Sequence, residues 1–108
     1  MAFRFSFKIY VPSTVSVNHS ADNSGAVAGC LSFLSSRFGG ATSTAARGAW
    51  VSDSAGLVVE DVTICYAFTN LRGFLTGRRA VLDYAKKLRD DMKQEAVSVE
   101  INGRLFFV

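Results

Sequence analysis

The chain has 108 residues, 49% of them hydrophobic, with nine Phe, three Tyr and one Trp, a net charge of +3 and a pI near 9.1. That is the size of a single domain, 1–108, with enough apolar mass for one core, which excludes a disordered chain and makes a disulfide or metal staple unnecessary. A zinc centre needs about four ligands while His19 is the only histidine, and no run approaches the roughly 20 apolar residues of a membrane helix.

Residues 3–11 alternate: Phe3, Phe5, Phe7, Ile9 and Val11 point one way, Arg4, Ser6, Lys8 and Tyr10 the other. This predicts a strand with one buried face, ended by Pro12, which has no N–H for a ladder. The same alternation differs from the continuous apolar block of a signal peptide, so a soluble cytoplasmic protein is expected. Residues 13–24 are polar and predict a long loop, and Asp22, Asn23 and Ser24 are competent caps for the next element.

A helix is predicted over 24–38, because Val27, Cys30, Leu31, Leu34 and Phe38 fall at i, i+3, i+4, i+7 and i+11; Gly39-Gly40 stops it. Residues 42–51 read as an extended, weakly patterned segment, with Gly48 marking a bulge or a close backbone approach. Asp53-Ser54-Ala55-Gly56 is a turn, and 57–68 forms the longest strand. Val58, Val62, Ile64, Tyr66 and Phe68 share one of its faces; Val59, Thr63, Cys65 and Ala67 share the other, which is shallow and offers a surface for a second copy.

The second helix is predicted over 72–94, with Leu75, Leu82, Ala85, Leu88 and Met92 inward and Val81 at the edge. Asp83–Lys87, Lys86–Asp90 and Lys87–Asp91 are i,i+4 pairs on its wet side. The chain ends in a hairpin whose Asn102-Gly103 turn sets Val99 opposite Phe106 and Val97 opposite Val108. The resulting order, β-α-β-β-α-β-β, is the α+β ferredoxin-like plan with an added C-terminal strand: an antiparallel sheet with two helices on one face.

Few residues suggest chemistry. Any Ser-His or Cys-His pair must use His19, and a solvated loop histidine is the reading preferred. Cys30 and Cys65 lack metal or redox spacing and read as buried thiols. Glu60 and Asp61 are adjacent in a strand and so face opposite ways, which prevents joint acid–base work on one substrate. Arg78-Arg79 and Lys86-Lys87 are interleaved with Asp83, Asp90 and Asp91, so a solvated helix face is expected and nucleic acid is not. Trp50 reads either as the edge of the core or as an interface anchor.

The combination Phe38-Gly39-Gly40-Ala41-Thr42, Gly48-Ala49-Trp50, Gly56 and Glu60 resembles an uncharacterised bacterial family of short proteins, although Ala41 stands where that family tends to carry a larger residue. Lys8-Ile9-Tyr10-Val11-Pro12-Ser13-Thr14 and Gln94-Glu95-Ala96 resemble small proteins of plasmids, phages and conjugative elements. Those resemblances bring no established activity, catalytic residue, cofactor or metal. They imply a non-enzymatic protein that binds a host protein, such as an anti-CRISPR-like inhibitor of a defence nuclease. Asn18, His19, Arg47, Trp50 and Glu60 are then the candidate contact residues, and a homodimer stands beside the monomer. The alternative is a small-molecule or nucleotide-binding module with its ligand near 39–50.

Overall fold

The computed structural model describes residues 2–15, 19–20 and 22–108. The elements are β1 (Phe5–Pro12), β2 (Thr14–Val15), β3 (His19–Ser20), α1 (Ser24–Phe38), β4 (Thr42–Ser52), β5 (Gly56–Thr69), α2 (Leu71–Asp91), β6 (Ser98–Ile101) and β7 (Arg104–Phe107). Strands β4-β5-β1-β6-β7 form one antiparallel sheet in that order, and β2 pairs with β3 inside the segment expected to be a plain loop. This is the ferredoxin-like arrangement with one strand added at the β6 edge.

Register fixes which side chains share a face, because successive residues alternate. Phe7 lies opposite Ala67 and Ile9 opposite Cys65 in the β1–β5 ladder, and Ile9 faces Val99 across β1–β6. Phe7, Ile9, Val11, Cys65, Ala67 and Val99 are buried under Cys30 and Leu34 of α1 and Val81, Ala85 and Leu88 of α2. The helices therefore cover the shallow face of β5, the face expected to meet a second copy. The small residues there make room for α1; the larger Val62, Ile64, Tyr66 and Phe68 stand on the helix-free face.

Aromatic contacts tie α2 to this core: the Phe74 ring lies 4.9 Å from that of Phe5 and 5.7 Å from that of Phe7, and Phe38 lies 5.2 Å from Phe7. Gly77 lets α2 approach so closely, since a Cβ there would sit 2.7 Å from the Phe38 ring. Leu75 is exposed and Val81 fully buried, the reverse of the predicted stripe, because Gly77 and Val81 turn the helix toward Phe38. Asn70 caps α2 by accepting the Gly73 N–H at 2.9 Å, and Asp22 takes the Ser24 N–H at the same distance ahead of α1. That bond holds the Asp22 carboxyl below its ordinary value.

Cys30 and Cys65 meet in the core, where their mutual hydrogen bond and then burial push the Cys30 thiol far up, leaving it neutral. Burial, and then the two thiols nearby, raise Tyr84 as well, whose ring stacks 4.3 Å from Phe33. The wet side of α2 differs from expectation. Among the described residues none of the three i,i+4 pairs closes, and the ion pair is between the neighbours Arg89 Nε and Asp90 Oδ1 at 2.9 Å. At the C-terminal hairpin Asn102 and Gly103 both take positive φ, 50° and 82°, which gives the predicted register.

Candidate functional site

The helix-free face of the sheet carries the candidate site. Tyr10 and Pro12 of β1, Gly48 and Trp50 of β4, Glu60 and Val62 of β5, and Leu105 and Phe107 of β7 point out of it or line it. They bound a groove of about 560 Å³, closed at one side by Gln94 and Ala96 after α2. The β4–β5 ladder runs unbroken from Thr42–Tyr66 to Ser52–Gly56, so Gly48 marks no bulge. It sits opposite Glu60, and no atom lies within 4 Å of where its Cβ would be, so it keeps the groove floor open beside that carboxylate.

The electrostatics of the groove are one-sided. Its lining holds two acids, Glu60 and Asp61, and no Lys or Arg. Asp61 belongs to the other face, where its Oδ1 accepts from Arg47 Nε at 3.1 Å. Glu60 is half-buried, and among the described residues no ion pair reaches it. A half-buried carboxylate in a groove that Tyr10 and Trp50 also line is suited to a cationic ligand with a flat ring: the acid supplies charge, and aromatic faces attract both cations and rings. Trp50 is 48% exposed, so it is a wall of the groove and no part of the core.

Of the residues singled out from sequence, Trp50 and Glu60 are brought together here. Arg47 lies on the opposite face and neutralises Asp61. Asn18 lies outside the described residues, and only the backbone of His19, in β3, is described. The 39–50 segment is divided: its far end lines this groove, while Gly39 to Thr42 line a second hollow of about 540 Å³ with Phe3, Tyr66 and Phe68. Tyr10, Leu105 and Phe107 were missed. The signal was present, since Tyr10 is an aromatic residue on the polar side of an otherwise clean alternation.

No protein-family model matches the chain, and no curated protein matches it. Two solved structures do. A phage SAM lyase in complex with S-methyl-5'-thioadenosine is 25% identical, with a TM-score of 0.67 over 96% of this chain and 88% of that one. A phage SAM lyase in the apo state is 22% identical, with a TM-score of 0.63 over 98% and 89% of the two chains. The likeness overturns the expectation of a non-enzymatic inhibitor of a host protein. A protein sharing this architecture almost end to end is an enzyme, and no observation supports an anti-CRISPR-like role. That expectation came from the resemblance to small proteins of mobile elements alone, and the structural likeness replaces it.

Proposed function

We propose that this chain is an S-adenosylmethionine lyase that releases S-methyl-5'-thioadenosine. The observation that carries the reading is the likeness, over 96% of the chain, to a lyase holding that molecule. The groove supports it independently. S-adenosylmethionine carries a sulfonium and an ammonium, and the groove offers carboxylate and aromatic surface with no competing cation. In this reading Trp50 and Tyr10 pack on the adenine ring and the sulfonium, and Glu60 holds the ammonium.

The chemistry asks little of the protein. S-methyl-5'-thioadenosine keeps the sulfur, its methyl and the ribose carbon, so the bond that breaks joins sulfur to Cγ of the methionine part, and its electron pair goes to sulfur. The substrate's own carboxylate oxygen forms the new bond to Cγ, closing a five-membered lactone. No water enters and no proton moves, so no nucleophile, base or histidine is required. Positive sulfonium and negative carboxylate neutralise each other as the reaction proceeds, so a site that sheds water favours the transition state. Val62, Leu105 and Phe107 give the groove its apolar lining, and in this reading Glu60 and Trp50 hold the chain folded for ring closure, where orientation is the main source of rate.

Incubation of the purified chain with S-adenosylmethionine, followed by chromatography and mass spectrometry, tests this. S-methyl-5'-thioadenosine and an equal amount of the amino lactone are expected. Substrate that decays no faster than in buffer, with the protein folded, contradicts the proposal; S-adenosylhomocysteine in place of the thioether would mean methyl transfer.

A further inference from the structure

A second groove lies on the other side of the sheet. It occupies about 510 Å³ between α2 and the β6–β7 hairpin and is lined by Phe74, Arg78, Ile101, Asn102, Arg104 and Phe106, with Leu82 at its base and no acid. Strand β7 serves both sites, sending Leu105 and Phe107 to the first groove and Arg104 and Phe106 to this one. The Arg78 guanidinium lies 5.8 Å over the Phe74 ring, and Phe106 is 43% exposed.

The groove opens at the end of the molecule where β1 and α2 begin and α1 ends, which also carries Arg4, Arg37, Arg72 and Arg79. All six arginines are exposed, and among the described residues none makes an ion pair. No Asp or Glu occurs between Asp61 and Asp83. The acids that interleave with Arg78-Arg79 in the sequence leave Arg78 unneutralised. Asp83 is about 140° round the helix from Arg78, although it stands at i+4 from Arg79, and Asp90 is about 18 Å along the helix from Arg78, beyond a Debye length of about 8 Å at physiological salt.

We propose that this groove and the arginine-rich end beside it bind single-stranded nucleic acid. A base packs on the Phe106 ring, Arg78 and Arg104 hold the flanking phosphates, and the strand continues over the remaining arginines. Exposed aromatic faces interleaved with guanidinium groups are the chemistry of sequence-tolerant single-strand binding. Six exposed arginines without an ion pair among the described residues, Arg37 held at 3.1 Å by the Thr76 carbonyl, exceed what the phosphates of one free nucleotide could engage, which favours a polyanion. This reverses the expectation drawn from sequence, and it is independent of the lyase reading.

Fluorescence polarisation with a labelled single-stranded oligonucleotide of about 12 nucleotides, at about 50 and 200 mM salt, tests it. Arg78→Gln/Arg104→Gln is expected to weaken binding at least tenfold and to flatten the log–log salt slope by about 1.4, or about 0.7 per lost phosphate contact. Phe106→Ser should cost about tenfold with the slope kept. Lys86→Gln/Lys87→Gln, which removes equal charge farther along α2, should stay within about twofold, and melting temperatures confirm that each variant folds. Equal losses in the two double variants, or no binding at the lower salt, would overturn the proposal. Displacement by adenosine monophosphate at concentrations near the oligonucleotide's own Kd would also overturn it, making a free nucleotide the occupant.

Discussion

The two faces of the five-stranded sheet are built from the same strands and differ in what they carry. The helix-covered face matches large to small: Phe7 and Ile9 of β1 lie opposite Ala67 and Cys65 of β5, and α1 fills the relief with Cys30 and Leu34. The open face carries side chains that a core would not tolerate, among them half-buried Glu60, Tyr10 and the Lys8–Glu100 ion pair at 3.3 Å. One face makes the protein stable, and the other is free to hold charge and a ligand. The contrast teaches that the side of a sheet that folding leaves uncovered is where a small domain has room for a ligand site.

Substitutions that separate stability from turnover put that contrast at risk. The largest effect is expected on the covered face. Phe7→Ala removes a fully buried ring that contacts Phe38 and Phe74, and should cost about 3–5 kcal/mol in urea unfolding. A loss below 1 kcal/mol would mean that this face is not the core. Next is Glu60→Gln on the open face, which should lower turnover of S-adenosylmethionine about 100-fold through lost orientation, with little change in melting temperature. If stability fell and turnover did not, the roles of the faces would be exchanged.

Gly77→Ala probes the seam between α2 and the core. Its new methyl meets the Phe38 ring, so about 1–3 kcal/mol of destabilisation is expected by chemical denaturation. The smallest effect belongs to Lys8→Gln, whose partly exposed pair with Glu100 should contribute under about 1 kcal/mol. A double-mutant cycle with Glu100→Gln would reveal a larger coupling if the open face were drier than its exposure implies.

The fold was legible because its cues are local. The apolar stripe from Val27 to Phe38 and the Gly39 stop place α1 at its observed limits, and Asn102-Gly103 sets the last ladder in register. What failed needed tertiary information. Leu75 fits a helical stripe as well as Val81 does, and only the packing of Gly77 on Phe38 decides between them. Likewise, nothing in the alternation of β5 says that its smaller face is the one a helix covers.

The site was half legible for a similar reason. Trp50 and Glu60 stand out as unusual residues on strands, whereas their companions Tyr10, Leu105 and Phe107 come from distant parts of the chain and join them only through the strand order β4-β5-β1-β6-β7. Arg47 is three residues from Trp50 in the sequence, yet register puts it opposite Asp61 and behind the groove. The proposed reaction uses the substrate's own carboxylate, so it leaves no catalytic motif for a sequence to display.

The most direct test of the open-face site is titration of isotopically labelled protein with S-methyl-5'-thioadenosine, followed by amide and indole NMR shifts. The account predicts saturable changes centred on Tyr10, Gly48, Trp50, Glu60 and Val62, with the amides of Leu34, Val81 and Ala85 at rest. Shifts gathered elsewhere on the molecule, or none at saturating ligand, would contradict it.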